Sequence, residues 1–160
     1  MIFATVGTQL PFDRLIAALD AWAAAHCHVE VFAQIGCGDY VPRYMAWTRD
    51  MQPVAFRARM AACETVVAHA GMGSIISAIE LGKRVIVMPR RASLGEHRNE
   101  HQLATVARLA HLRGFEVVHE PAELSAALAC DRARIDARAP AGADPGLIAA
   151  IRRFAGLEAA

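Results

Sequence analysis

Two periodicities take turns along this chain. Short apolar runs of strand length occupy residues 2–6, 29–33, 65–69, 84–88 and 115–118. Residues 51–56 form a further candidate strand, interrupted by Pro53. Between the runs the apolar positions take helical spacing. Phe12, Leu15, Ile16, Leu19 and Trp22 mark one face of a helix over residues 12–25. Helices are also predicted over 57–63, 74–81, 99–113 and 122–129, with Gly82 and Gly114 at the ends of two of them. Residues 131–144 are rich in Arg, Ala, Asp and Pro and read as a loop. Asp144-Pro145 then opens a last helix over about 145–156, Asp as its cap and Pro as its first residue.

Apolar strands alternating with helices predict an α/β fold. A parallel sheet covered by helices would form one Rossmann-like domain over residues 1–160. Ligands of such sheets bind beyond the C-terminal strand ends, so the residues just after each strand are the ones to inspect.

Four segments stand there. His69-Ala-Gly-Met-Gly-Ser74 lies between a buried strand and a helix. Gly71 and Gly73 let a backbone approach a ligand closely, Ser74 can cap the helix, and the helix N-terminus makes an anion site. The alternative is a tight turn that needs glycine for packing. Neither G-x-G-x-x-G nor a Walker loop is present. Gly7-Thr8-Gln9 follows the first strand and offers donors or an ordinary turn. Gln34-Ile35-Gly36-Cys37-Gly38 follows the second and suits the edge of a cleft. The fourth runs from Pro89 to Gln102 and gathers Arg90, Arg91, Glu96, His97, Arg98, Asn99, Glu100 and His101. It can bind hydroxyls or an anion, or form a solvated loop with internal salt bridges. Tyr40, Tyr44, Met45 and Trp47 form either an interface patch or internal packing. His26, His28, His111 and His119 read as surface residues.

Composition narrows the classes. The chain is 55% hydrophobic and 21% charged, a globular balance. Its 17 basic and 16 acidic residues leave +1, so no global field draws nucleic acid. Cys27, Cys37, Cys63 and Cys130 form no C-x-x-C pair and read as thiols of a reducing cytosol. The N-terminus lacks a basic signal region, and no apolar run reaches membrane-spanning length. No metal site is expected, since Arg98 lies between His97 and His101.

In this order, TVGTQLPFDRL, QIGCG, VVAHAGMGSIISAIELGKRVIVMP and GEHRNEHQLATVARL resemble glycosyltransferase family 28 over about residues 3–113. The likeness is to the C-terminal, donor-nucleotide half of its GT-B fold. HAGMGS followed by GKRVIVMP is its most specific part. Stand-alone small subunits are the most similar kind. One is the catalytic subunit of the split N-acetylglucosaminyltransferase of the dolichol pathway. The other is the PssE-type subunit of bacterial exopolysaccharide synthesis, which PRRASLGEHRNEHQ resembles more.

The resemblance implies metal-independent, inverting hexosyl transfer from a UDP-sugar to a lipid-linked saccharide, with no cofactor. It implies a membrane-associated partner subunit carrying the acceptor-binding half. The chain would then be cytoplasmic, at the inner membrane face, and inactive alone. Gly7, Thr8 and Gln9 would face the diphosphate, and Gly71, Met72, Gly73 and Ser74 would hold phosphate. Gln34 and Gly36 would stand at the cleft edge, and Met51-Gln52-Pro53 near the uracil. Glu96, His97, Arg98 and Asn99 would contact the donor sugar. Many relatives place a ribose-binding glutamate six residues after the first glycine of HAG. Here that position is Ser77, and Glu80 lies one turn on. The base would sit on the partner, with His69 as a local alternative. Arg90, Arg91 and Arg98 suggest a carboxylate on the sugar, as in UDP-glucuronate, an expectation shared with PssE-type subunits. UDP-N-acetylglucosamine and UDP-glucose are the alternatives, and a non-catalytic nucleotide-binding scaffold is the rival class. Epimerases resembling GT-B need both halves in one chain.

Overall fold

The structure, a computed structural model, describes residues 1–110 and 114–129. The chain runs β1 (Ile2–Thr5), α1 (Asp13–Ala25), β2 (Val31–Gln34), β3 (Ala46–Thr48), α2 (Pro53–Ala62), β4 (Thr65–His69) and α3 (Met72–Glu80). It continues through β5 (Arg84–Met88), a 3-10 turn (Ala92–Leu94), α4 (His101–Leu109), β6 (Phe115–Val117) and α5 (Pro121–Ala129). The six strands pair in parallel in the order β3-β2-β1-β4-β5-β6.

Strand periodicity divides the core into two layers. Val66 and Ala68 of β4, with Val85 and Val87 of β5, face a layer closed by Met60, Ile75, Ala78, Val106 and Leu109 of α2, α3 and α4. Val67, Ile86 and Met88 face the opposite layer, closed by Leu15, Ile16, Leu19 and Leu124 of α1 and α5. Both faces of the sheet are therefore covered, which is why its central strands read as unbroken apolar runs.

The third strand differs from expectation. It is Ala46–Thr48, not residues 51–56. Pro53 stands at the first position of α2, where its missing N–H costs nothing, so that helix also begins earlier than residue 57. β3 is a three-residue edge strand with two exposed side chains, too short and polar to show as an apolar run. The aromatic segment around it divides. Met45 is buried, while Tyr44 is 64% and Trp47 38% exposed. Among the outlying histidines, His28 and His119 are exposed, while His26 is half-buried and stacks on Trp22 at 4.1 Å. The predicted helix over 145–156, His111 and Cys130 lie outside the described residues. Cys27 and Cys37 are exposed free thiols and Cys63 is a buried one.

A buried carboxylate holds the approach to β3. Asp20 of α1 is 1% exposed. It accepts hydrogen bonds from Tyr40 Oη at 2.9 Å, Arg43 N at 2.9 Å and Tyr44 N at 2.8 Å. Asp20→Ala strands these donors, and urea unfolding is expected to show a loss of about 2–4 kcal/mol.

Candidate functional site

β1 pairs with β2 on one side and with β4 on the other, so strand order reverses at β1. The chain leaves β1 and β4 toward opposite faces, which opens a crevice beyond Thr5 and His69. A cleft of about 620 Å³ occupies it. The loop of residues 6–10 and the His69–Ser74 turn line it, and His97, His101, Gln102 and Thr105 close another side. Met51 and Phe56 flank it from α2 and its approach.

The described lining of the cleft carries basic groups and a helix N-terminus. Gly71 is the N-cap of α3 and enters the helix extended (φ −87°, ψ 126°), with no side-chain cap. The N–H groups of Met72, Gly73 and Ser74 thus open the first turn at the cleft wall. Ser74 sits inside that turn, not at the cap expected from sequence, because the helix starts two residues earlier. Among the described lining residues are Arg90 and three histidines, and no Asp or Glu.

His69 joins the two loops. A Cβ on Gly7 would lie 2.8 Å from His69 Cε1, and one on Gly71 would overlap His69 Nε2. Gly7 also has φ +73°, a conformation glycine tolerates best. The imidazole therefore packs where both loops lack side chains. Its Nδ1 lies 3.4 Å from the Thr5 carbonyl, which can only accept, so the proton sits on Nδ1. Burial, with Arg90 nearby, pushes the His69 pKa down to about 4. The ring is neutral at neutral pH.

Two buried amides brace the strand ends. Gln34 Oε1 accepts from Thr5 Oγ1 at 2.7 Å, while its Nε2 donates to Gly7 O at 3.0 Å and Arg49 O at 2.9 Å. Gln102 Oε1 accepts from Ala70 N at 3.2 Å and Arg90 N at 2.9 Å, tying β4 to β5. Gln34 lines the cleft, but its polar atoms serve the loop.

The comparisons match this architecture. The Glycosyltransferase family 28 C-terminal domain model matches residues 1–144. The chain belongs to that family. No curated protein matches it. Among solved structures it is similar to the glycotransferase of kitacinnamycin, with TM-score 0.59 and 18% identity, over 96% of this chain and 38% of that one. It is also similar to MurG of Acinetobacter baumannii, with TM-score 0.59 and 15% identity, over 94% of this chain and 49% of that one. SnogD of Streptomyces nogalater aligns with TM-score 0.53 and 20% identity, over 98% of this chain and 38% of that one. This family 28 domain thus spans less than half of each of these proteins.

Of the residues singled out in sequence, the fold brings Gly7, Thr8, Gln9, Gln34, His69, Gly71, Met72, Gly73, Ser74, Ser77, Arg90 and His97 to the cleft. Ser77 lines it and Glu80, one turn on, does not. The others stand elsewhere. Gly36 is buried behind Gly7, where a Cβ would meet Gly7 O at 3.2 Å. Gln52 is the exposed N-cap of α2, so the preceding Met51 reaches the cleft instead. Glu96 is held by Arg14 through two bonds of 2.7 and 2.8 Å and also accepts from Arg91 N at 3.0 Å. That staple turns it away from the cleft lining. Arg91 pairs with Glu120 at 2.8 Å. Arg98 and Asn99 are exposed and outside the lining.

His101 and Gln102, members of the Pro89–Gln102 segment though given no ligand contact of their own, also line the cleft, as do Thr5, Phe56 and Thr105, which the sequence motifs give no site role. Gln102 and Thr105 carried a signal. They are polar residues one turn apart on the face that also bears Val106 and Leu109, so burial would demand partners for them. Phe56 gave none, since its place against Phe3 at 5.4 Å depends on how α2 packs.

Two measurements probe this geometry. Gly71→Ala should destabilise by about 1–3 kcal/mol in urea unfolding because the imidazole must move. Gly73→Ala meets nothing within 4 Å inside a helix and should be neutral or gain up to about 1 kcal/mol. The second concerns pH. His69 titrates near 4 when folded and near 6.5 when unfolded, so the unfolded chain binds more protons between those values. Its stabilising contribution is full above pH 6.5 and falls as pH drops toward 4, by about 3 kcal/mol in all. His69→Gln should flatten that part of the stability–pH profile.

Proposed function

We propose that this family 28 domain binds a UDP-sugar and is the donor half of a two-component glycosyltransferase. The single observation that carries the reading is the cleft at the strand-order reversal, whose described lining holds no carboxylate and which has an uncapped helix N-terminus and a buried arginine at its wall. A diphosphate fits those donors, and they stabilise the charge that develops on departing UDP. The nucleoside then lies toward Met51 and Phe56, with Ser77 beside the ribose, and the sugar lies toward His97 and His101. In this reading transfer is a single inverting displacement, and N–H groups and the guanidinium supply the positive charge that a metal would otherwise bring.

The acceptor is a lipid-linked saccharide of exopolysaccharide synthesis, held by a membrane-associated partner subunit at the cytoplasmic face. Among the described residues no helix is long and apolar enough to cross a membrane, so in this reading the partner supplies the attachment. The partner also supplies the base. His69 gives its Nδ1 proton to Thr5 and turns Nε2 toward Gly71, so its place suits a spacer between loops better than a base for an incoming hydroxyl.

Glucuronate is the proposed sugar, and its support now rests on Arg98. Arg90 is committed to main-chain carbonyls and Arg91 to Glu120, while Arg98 is exposed and follows the cleft residue His97 in sequence.

Calorimetric titration of the purified chain with uridine, UDP, UDP-glucuronate and UDP-N-acetylglucosamine tests the reading. UDP is expected to bind at least about tenfold more tightly than uridine. Equal affinities would remove the diphosphate site. UDP-glucuronate should exceed UDP, and Arg98→Ala should erase that gain without changing UDP. A gain for UDP-N-acetylglucosamine instead would reassign the donor.

A further inference from the structure

Arg90 is the one arginine among the described cleft-lining residues, and it is 2% exposed. Its Nη2 donates to Val6 O at 2.7 Å and to Leu10 O at 2.6 Å. Those carbonyls stand at the two ends of the loop that carries Gly7, Thr8 and Gln9. The guanidinium carbon lies 5.1 Å from the centre of the ring of Phe12, the N-cap residue of α1. Arg90 N donates to Gln102 Oε1, so the residue is fixed at main chain and side chain alike.

Among the described residues no carboxylate forms an ion pair with Arg90. Glu96 is near enough to favour the cation, but Arg14 takes both of its oxygens. Arg90 Nε has no hydrogen-bond partner among the described residues. Arg14, Arg84 and Arg91, by contrast, each pair with a glutamate. Burying a cation without a paired anion is costly, and a fold concerned only with stability has no reason to keep one.

We propose that Arg90 is a positioning residue: it clamps both ends of the 6–10 loop and sets a positive charge, without an ion-pair partner among the described residues, beneath the cleft as the counter-charge of a bound diphosphate. The identity of that anion rests on the function proposed above, whereas the clamp does not. This role replaces the contact with a sugar carboxylate expected from sequence, since the side chain is turned into the protein.

The test uses the full chain, with Arg90→Met and Arg90→Gln compared with wild type. Pyrophosphate, UDP and uridine are titrated by calorimetry, and the His69 imidazole is followed by NMR across pH. Both variants should weaken pyrophosphate and UDP about tenfold or more while uridine changes little. His69 should titrate at higher pH in both, because a neighbouring cation has gone. If Arg90→Met fails to fold, Arg90→Gln, which keeps a donor for the loop carbonyls, carries the same readouts. Folded variants with unchanged anion affinity and an unchanged His69 titration would overturn the proposal. Wild-type protein that binds neither anion would also overturn it. Pyrophosphate binding without any preference for UDP would sink the nucleotide reading alone and leave the counter-charge standing.

Discussion

The C-terminal ends of β1 and β4 lie side by side, and the His69 ring occupies the space where Gly7 and Gly71 have no side chains. The cleft depends on that contact. It sets the separation of two loops, one of them opening the N-terminus of α3. It also explains both glycines by packing as well as by any ligand. A neutral ring suits the place, because a charged one would stand half-buried beside the Arg90 cation.

Around that contact, side-chain amides take over where the sheet's ladder of hydrogen bonds ends. Gln34 joins β1 to β2 and to the strand-end residue Arg49, and Gln102 joins β4 to β5. Each links main-chain groups of neighbouring strand ends that the sheet ladder itself does not join. The arginines divide in the same way. Arg14 and Arg91 fasten the segment after β5 to α1 and to the turn before α5 through glutamates. Arg14 and Arg91 add carbonyl contacts to their ion pairs, whereas Arg90 is buried on the carbonyls of Val6 and Leu10. Stability and site preparation are therefore carried by neighbouring residues of one segment, Pro89 to Gln102.

Much of the fold was legible in sequence because each central strand is buried on both faces. β4 and β5 stand where the apolar runs put them, and α1 follows its five apolar positions to within one residue. Legibility failed at the sheet edge. β3 has one covered neighbour and two exposed side chains, so it lacks the pattern by which strands are recognised. Pro53 was read as an interruption of a strand and is the start of a helix.

The site divides along a similar line. Glycines, a strand end and a following helix are local features, so the sequence by itself determined the two glycine loops at the cleft, the α/β class and the family likeness. Which polar side chains face the cleft is a matter of long-range pairing. Glu96 leaves it because Arg14, 82 positions away, captures it. Arg90 turns inward because the carbonyls of Val6 and Leu10, 84 and 80 positions away, are within reach. Such partners compete at distances that exist only after the sheet has formed. Tertiary structure alone decided which charges are satisfied within the protein and which are left for a ligand.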